Sequence, residues 1–257
     1  MKTNYHTHTF RCKHAVGDDE AYVLSAIAAG FDVLGFSDHC PWPFATDYRS
    51  GIRMEPDMLD DYIYNISALR EKYKNRITIK IGLECEYFEE YMPWLTTTAA
   101  QKGIDYLIFG NHFAKSEETG SRYFGNDCAT PERLEEYRQS ALAGINSGAF
   151  AYMAHPDLFL HTYPAFDTRA EQVSREICRA AAIMDLPLEF NISGFRMSDE
   201  CRRGFPHPDF WRIAAEEGNT AIIGVDAHSH TALQAHEDYA RAVAILEKLH
   251  IERIETL

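Results

Sequence analysis

The sequence predicts an α/β fold in which parallel strands close into a barrel, and three observations lead there. Short β-branched or aromatic runs alternate with longer amphipathic stretches along all 257 residues, the pattern of repeated βα units. No Ser-, Gly- or Pro-rich linker and no break in composition divides them, so residues 1–257 read as a single domain. No glycine fingerprint of the GxGxxG kind follows the first strand, which removes the usual support for a doubly wound sheet and favours the barrel.

Thr3 to His6 reads as the first strand, followed after a loop by an amphipathic helix from about Asp18 to Ala29, with Asp18 and Asp19 as cap residues. Val33 to Ser37 is the second strand and ends in Asp38-His39. A long helical pattern from about Glu55 to Tyr73 precedes Ile77 to Glu84, whose β-branched alternation marks the third strand. Tyr106 to Gly110 is the fourth, with Asn111-His112 after it. Thr130 followed by Pro131 opens a helix running to about Ile145. Ala151 to Ala154 is the fifth strand, Arg169 to Met184 a helix, and Leu186 to Phe190 the sixth strand, with Asn191 beyond it. Pro208 to Glu217 is a helix, Ala221 to Val225 the seventh strand, and Leu233 to Leu249 the closing helix. Seven strands stand where eight are usual, and successive βα units make them parallel with right-handed crossovers.

Composition narrows the function. Lys and Arg number 25 against 39 Asp and Glu, and a net charge of -14 repels a polyphosphate backbone, so nucleic acid is excluded as the default partner. The amino terminus lacks the apolar run of a signal peptide, and nowhere do about 18 consecutive apolar residues suggest a membrane span. A cytoplasmic protein without a membrane partner is the expectation. The six cysteines are scattered and form no CxxC pair, which favours reduced thiols over disulfides or a zinc knuckle.

Polar residues fall at the carboxyl ends of the strands: His6 and His8, Asp38 and His39, Glu84, His112, His155, Asn191, and Asp226 with His228. In a βα barrel these ends converge on one mouth, the face that carries active sites. His6-Thr7-His8 and Asp226-Ala227-His228 each place two ligating side chains on one side of an extended chain. Neither pair alone means much. Together with single His or Glu residues at most other strand ends they resist assignment to packing, because buried polar groups need partners. Imidazole and carboxylate are ligands for zinc, iron and manganese, and the cluster exceeds the needs of one four-coordinate ion. Two or three divalent ions are expected, with Glu84 bridging two. His14, in the loop after the first strand, joins as a candidate only because such a cluster needs further ligands.

At these residues the chain resembles the polymerase and histidinol phosphatase (PHP) metallohydrolases. The resemblance rests on His6-Thr-His8 with Arg-Cys-Lys-His14-Ala, Gly35-Phe-Ser-Asp-His39, Gly82-Leu-Glu84, Gly110-Asn-His112-Phe, Ala154-His155-Pro156 and Gly224-Val-Asp226-Ala-His228. It implies a distorted (β/α)7 TIM-like barrel with a trinuclear metal centre. His6, His8, Glu84 and Asp226 would hold one ion, Glu84, His112 and His155 a second, and His14, His39 and His228 a third. Within the family the order of motifs is similar to that of the stand-alone histidinol-phosphate phosphatases, although Phe109-Gly110-Asn111-His112-Phe113 departs from the Gly-Ser-Val-His-Phe frequent among relatives.

The resemblance implies hydrolysis of a small phosphomonoester, L-histidinol phosphate first, by in-line attack of a metal-held hydroxide. Such hydrolysis demands about 20 kcal/mol or more of transition-state stabilisation, which clustered ions suit. Asp226, Glu84 and His228 are the expected catalytic residues. Arg196 is the leading phosphate-binding candidate, ahead of Arg122 and Lys115. Glu86, Glu117 and Glu118 are candidates for the positive end of the leaving group. His161, His207, His236 and His250 lie off the strand-end pattern, His230 is placed to line the pocket, Trp42, Trp94 and Trp211 read as packing, and Glu89-Glu90 as a solvated face. Two alternatives stay open: a family member acting on nucleotides or another small phosphate ester, and a non-catalytic metal-binding module. Oligomeric state is not legible in a single sequence.

Overall fold

The computed structural model describes residues 1–195 and 204–257. Seven strands, β1 (Thr3–Asn4), β2 (Val33–His39), β3 (Thr78–Cys85), β4 (Tyr106–Gly110), β5 (Tyr152–Ala154), β6 (Leu188–Asn191) and β7 (Ala221–Gly224), lie side by side in chain order, each parallel to the next. Past the ends of β1 and β7 a parallel bridge joins Thr7 to Ala227, with the His8 N–H donating to the Ala227 carbonyl at 3.0 Å. The first and last strands are thereby linked, and the sheet curls into the seven-stranded barrel that the sequence predicts.

Seven helices of two turns or more surround it among the described residues: α1 (Asp19–Ala28), α2 (Leu59–Tyr73), α3 (Met92–Lys102), α4 (Pro131–Asn146), α5 (Thr168–Ile183), α6 (Pro208–Glu216) and α7 (His236–Lys248). Their starts follow local chemistry. Asp18 accepts from the Ala21 N–H at 2.7 Å, Thr130 from the Arg133 N–H at 3.3 Å, and Asp167 from the Arg169 and Ala170 N–H groups at 3.0 Å. α3 is the element without a sequence counterpart. Thr96-Thr97-Thr98 interrupts its helical periodicity with β-branched residues, and only Leu95 of this helix is fully buried.

Alternation along the strands sorts side chains into two layers. Leu34, Phe36, Ile79, Ile81, Leu83, Phe109, Met153, Leu188, Phe190 and Ile223 face the helices and form the larger core. Tyr5, Val33, Tyr106, Ile108, Tyr152, Ala154 and Ile222 form a smaller cluster inside the barrel. Tyr106 crosses that interior and donates to the Tyr5 carbonyl at 2.6 Å. Glycines on two strands make the room, since a Cβ at Gly35 or Gly82 would sit within 2.5 Å of Tyr106. The same inward register continues to His39 on β2, Glu84 on β3 and Glu189 with Asn191 on β6, and His39 pairs with Glu84 across neighbouring strands. The apolar plug thus fills one end of the barrel and the polar residues the other. No helix among the described residues is long and apolar enough to cross a membrane.

Candidate metal centre

The segment after β1 carries two of the imidazoles. Asn4 pins it, donating to the His6 carbonyl at 3.1 Å and the Thr7 hydroxyl at 2.7 Å, while its own oxygen accepts from the Val225 N–H at 2.8 Å. His6 and His8 are completely buried, with their Nε2 atoms 3.1 Å apart. Asp38 accepts from the Thr9 hydroxyl and lies 3.5 Å from His8 Nδ1.

Glu84 stands at the centre. Its Oε1 is 2.9 Å from His155 Nε2, 3.3 Å from His112 Nε2 and 3.4 Å from His6 Nε2. Its Oε2 is 3.0 Å from His39 Nδ1 and 3.5 Å from His8 Nε2. One carboxylate therefore addresses two sets of imidazoles with different oxygens. Asp226 completes the rim at the β7 end, with Oδ1 at 3.3 Å from His8 Nε2, 3.5 Å from His6 Nε2 and 3.3 Å from His228 Nδ1. His228 stacks on His8 with ring centroids 4.0 Å apart, and His14 lies 4.5 Å from His228 and 5.4 Å from His39. The His14 Nδ1 donates to the Cys12 carbonyl at 2.8 Å, which leaves Nε2 with a lone pair available to a ligand. All nine residues expected as ligands from the sequence gather at this rim.

Charge and hydrogen bonding here suit cations. Burial raises the Glu84 carboxyl, but His112, His6 and His39 outweigh it and hold the group well below the usual carboxylate range. Burial likewise raises Asp226, against the stronger pull of His6, His228 and His8, and its acidity also ends well below the ordinary value. Burial lowers His6, yet Glu189, Asp226 and Glu84 carry it well above the ordinary imidazole value. His39 and His14 move down, His39 through burial and His8, His14 through burial and His228, the direction that favours the neutral imidazole. Asp226 Oδ1 is buried, faces three imidazole nitrogens and accepts no hydrogen bond. Buried polar atoms are rarely left so, and an ion among these donors resolves the deficit. Backbone strain points to the same place: His155 has φ 28° and Asp226 φ 51°. Geometry groups His6 with His8 and Asp226, His6 with Glu84 and His155, and His8 with His39 and His228.

The rim opens into two adjoining cavities. The inner one, about 370 Å³, is walled by the imidazoles, Glu84 and Asp226. The outer one, about 470 Å³, shares His14, Tyr123, Asn126, Phe205, Asp226 and His228 with it and adds Leu158, His161 and Ser193. His161 thus leaves the off-pattern group: it follows β5 on the barrel's open face, and its buried Nδ1 has no hydrogen-bond partner. The only hint in the sequence was its place six residues after His155.

Other expectations land elsewhere. Lys115 and Arg122 line a separate cavity of about 770 Å³, and Arg122 pairs with Asp127 at 2.9 Å with 70% of its side chain exposed. The Phe124 N–H returns to the His112 carbonyl at 2.8 Å, so residues 114–122 form an excursion away from the rim, while Phe113 and Tyr123 at its two ends still line the inner cavity. Arg196 lies outside the described residues. The three acidic candidates for the leaving group are engaged away from the cavities. Glu86 is buried and accepts from His112 Nδ1 at 2.8 Å, Trp42 Nε1 at 2.7 Å and Arg53 at 3.0 Å. Glu117 accepts from Ser50 at 2.9 Å and Arg53 at 2.7 Å, and Glu118 from Thr46 and Tyr91. Sequence spacing hid this network, because Arg53 approaches from the loop between β2 and α2. His230 lies against Gly17 and Tyr22 and lines neither cavity.

A model of the PHP domain matches residues 4–193. The chain belongs to the PHP family. A probable histidinol-phosphatase of Deinococcus radiodurans is 30% identical over 240 residues, covering 87% of this chain and 85% of the relative. The histidinol-phosphatase of Bacillus subtilis is 25% identical over 257 residues, covering 89% and 94%. Among solved structures, the histidinol phosphate phosphatase of Lactococcus lactis, complexed with zinc, L-histidinol and phosphate, superposes with a TM-score of 0.76 at 20% identity, over 100% of this chain and 96% of that one. That likeness establishes a shared PHP fold.

Proposed function

We propose that this chain is a metal-dependent phosphatase that hydrolyses L-histidinol phosphate to L-histidinol and phosphate, acting as a single PHP domain over residues 1–257 in the cytoplasm. The observation that carries the reading is the Glu84 carboxylate, one oxygen turned to His6, His112 and His155 and the other to His8 and His39. The substrate follows from the names and coverage of the Deinococcus and Bacillus relatives. The five described cysteines are free and buried, as suits a reducing compartment.

His6, His8, Glu84 and Asp226, then Glu84, His112 and His155, then His14, His39 and His228 are the residues that would hold two or three zinc, iron or manganese ions. Such ions lower the pKa of water and neutralise phosphoryl oxygens. The remaining work falls to the chain. Glu84 and the surrounding imidazoles fix the inner cavity, where the phosphoryl group belongs, and the outer cavity receives the leaving group. Asp226 stands where the two meet. Its Oδ2 is held by Asn191 and Ser193, each at 3.2 Å, which leaves Oδ1 facing the reacting centre, with one lone pair to hold an ion and the other to accept a proton. His161, Asn126 and Ser193 offer polar contacts to the leaving group. Arg196 is kept as the arginine for phosphate on its place in the sequence after β6.

One observation favours a second substrate within the same chemistry. Among the described residues Asp226 is the only acid lining the outer cavity, so an ammonium on the leaving group meets no second carboxylate among them. Phosphate release from L-histidinol phosphate, nucleotides and sugar phosphates, measured with protein loaded with zinc, iron or manganese, decides between them. A kcat/KM highest on L-histidinol phosphate supports the proposal. A negligible rate there beside a fast one on another ester replaces the substrate, and no activity on any ester together with fewer than two ions bound per chain favours a non-catalytic module.

A further inference from the structure

β6 supplies none of the nine candidate ligands, yet it places a carboxylate deep among them. Glu189 is 0% exposed, on the inward register two residues before Asn191. Its Oε1 lies 2.7 Å from His6 Nδ1. Its Oε2 accepts from the backbone N–H of His155 at 3.0 Å and from the Asn191 amide at 2.9 Å, and the same amide reaches Asp226 Oδ2 at 3.2 Å. One side chain thereby touches His6, holds the backbone of His155 and connects through Asn191 to Asp226.

Each contact answers a need of the rim. A carboxylate only accepts, so Glu189 keeps a proton on His6 Nδ1, and Nε2, which faces Glu84 and Asp226, is the nitrogen whose own proton an ion would replace. His155 has φ 28°, a conformation that a residue with a Cβ keeps only where its surroundings enforce it, and the bond from its N–H to Glu189 is such a constraint. β7 leaves space for the carboxylate: a Cβ at Gly224 would sit 1.8 Å from Glu189 Oε1 and 2.4 Å from its Cδ. A barrel interior that needed only filling would take an aliphatic residue here, as at Ile222, the register partner of Glu189, because a buried carboxylate costs stability unless fixed donors or cations offset it.

We propose that Glu189 is the positioning residue of the metal centre, fixing the tautomer and direction of His6 and the strained backbone of His155 so that both aim at one point. The proposal rests on reading the rim as a metal centre. It gives a role to the strand end that carries no ligand, and to the glycine opposite.

The test combines a tautomer measurement with metal affinity. In metal-free protein carrying 15N-labelled histidine, brought to a pH alkaline enough for the His6 ring to be neutral, the His6 resonances, assigned by their loss in His6→Gln, are expected to report the Nδ1–H form. In Glu189→Gln the side chain keeps its size but cannot accept from His6, His155 and Asn191 together, and zinc affinity, measured by competition with a chromophoric chelator, should fall about 10–100-fold. Gly224→Ala, which displaces the carboxylate without deleting it, should reproduce the loss. A neutral His6 ring with its proton on Nε2 in the parent protein, or parent zinc affinity in both variants, overturns the proposal. Should the variants fail to fold, the tautomer of the parent still decides. A parent protein with no affinity for zinc would instead overturn the metal-centre reading, and the two failures are separable because the tautomer is read without metal.

Discussion

Replacing Glu84 by Gln tests the reading at its centre. The substitution keeps side-chain volume but retains a single acceptor oxygen where the carboxylate has two, one within 3.4 Å of His6, His112 and His155 nitrogens and the other within 3.5 Å of His8 and His39. Glutamine can serve one of these sets and not both. It also removes a negative charge that the imidazoles hold well below its ordinary pKa. A two-ion site owes several kcal/mol of transition-state stabilisation to the joint clamp on nucleophile and phosphoryl oxygens. Losing about 4 kcal/mol of it corresponds to about a 10³-fold fall in kcat/KM, at 1.36 kcal/mol per decade. Elemental analysis should find one ion fewer per chain in Glu84→Gln and a loss of more than one in Glu84→Ala, and phosphate release should fall by about 10³-fold or more. Unchanged metal stoichiometry with a rate within tenfold of the parent would remove Glu84 from its bridging role.

Three further outcomes follow from the geometry. Stripping metal with a chelator should abolish hydrolysis and lower the thermal midpoint, because ions that bind only the folded rim stabilise it by about 4 kcal/mol at a thousandfold excess over Kd; an unchanged midpoint in a calorimeter would mean that no ion is held there. Arg53 lies buried between Glu86 and Glu117, so Arg53→Met should cost about 3–5 kcal/mol in urea unfolding by leaving two buried carboxylates without their cation; a loss under about 1 kcal/mol, the scale of an exposed pair, would contradict the burial. Arg122→Ala should leave kcat/KM within twofold of the parent, since Arg122 pairs with Asp127 at another cavity, whereas Arg196→Ala should raise KM with metal content intact. The reverse ranking in steady-state kinetics would return the phosphate site to the loop after β4.

Strand ends were legible because alternation and strand length fix where a chain reaches the open face of a barrel. His39 and Glu84 needed only the registers of Val33–His39 and Thr78–Cys85 to be placed side by side. Loops were not legible in this way. The loop carrying Lys115 and Arg122 folds back through a backbone hydrogen bond from Phe124 to His112, and nothing in residue type announces that turn. α3 was hidden by three consecutive threonines whose β-branched side chains mimic a strand. Glu86 offered itself as a substrate contact only while its partners were unknown; Arg53 and Trp42, 33 and 44 residues away, claim it.

The sequence by itself determined the fold class, the order of the elements and the roster of donors at the rim, because these depend on local periodicity and on side-chain chemistry that each segment carries with it. Tertiary structure alone decided which oxygen of Glu84 meets which imidazole, that Asn4 and Glu189 hold the histidines in place, and that His161 rather than Lys115 or Arg122 lines the outer cavity of the rim. Those facts depend on distances between segments far apart in the chain, and such distances exist only once the barrel closes through Thr7 and Ala227 and buries its polar end.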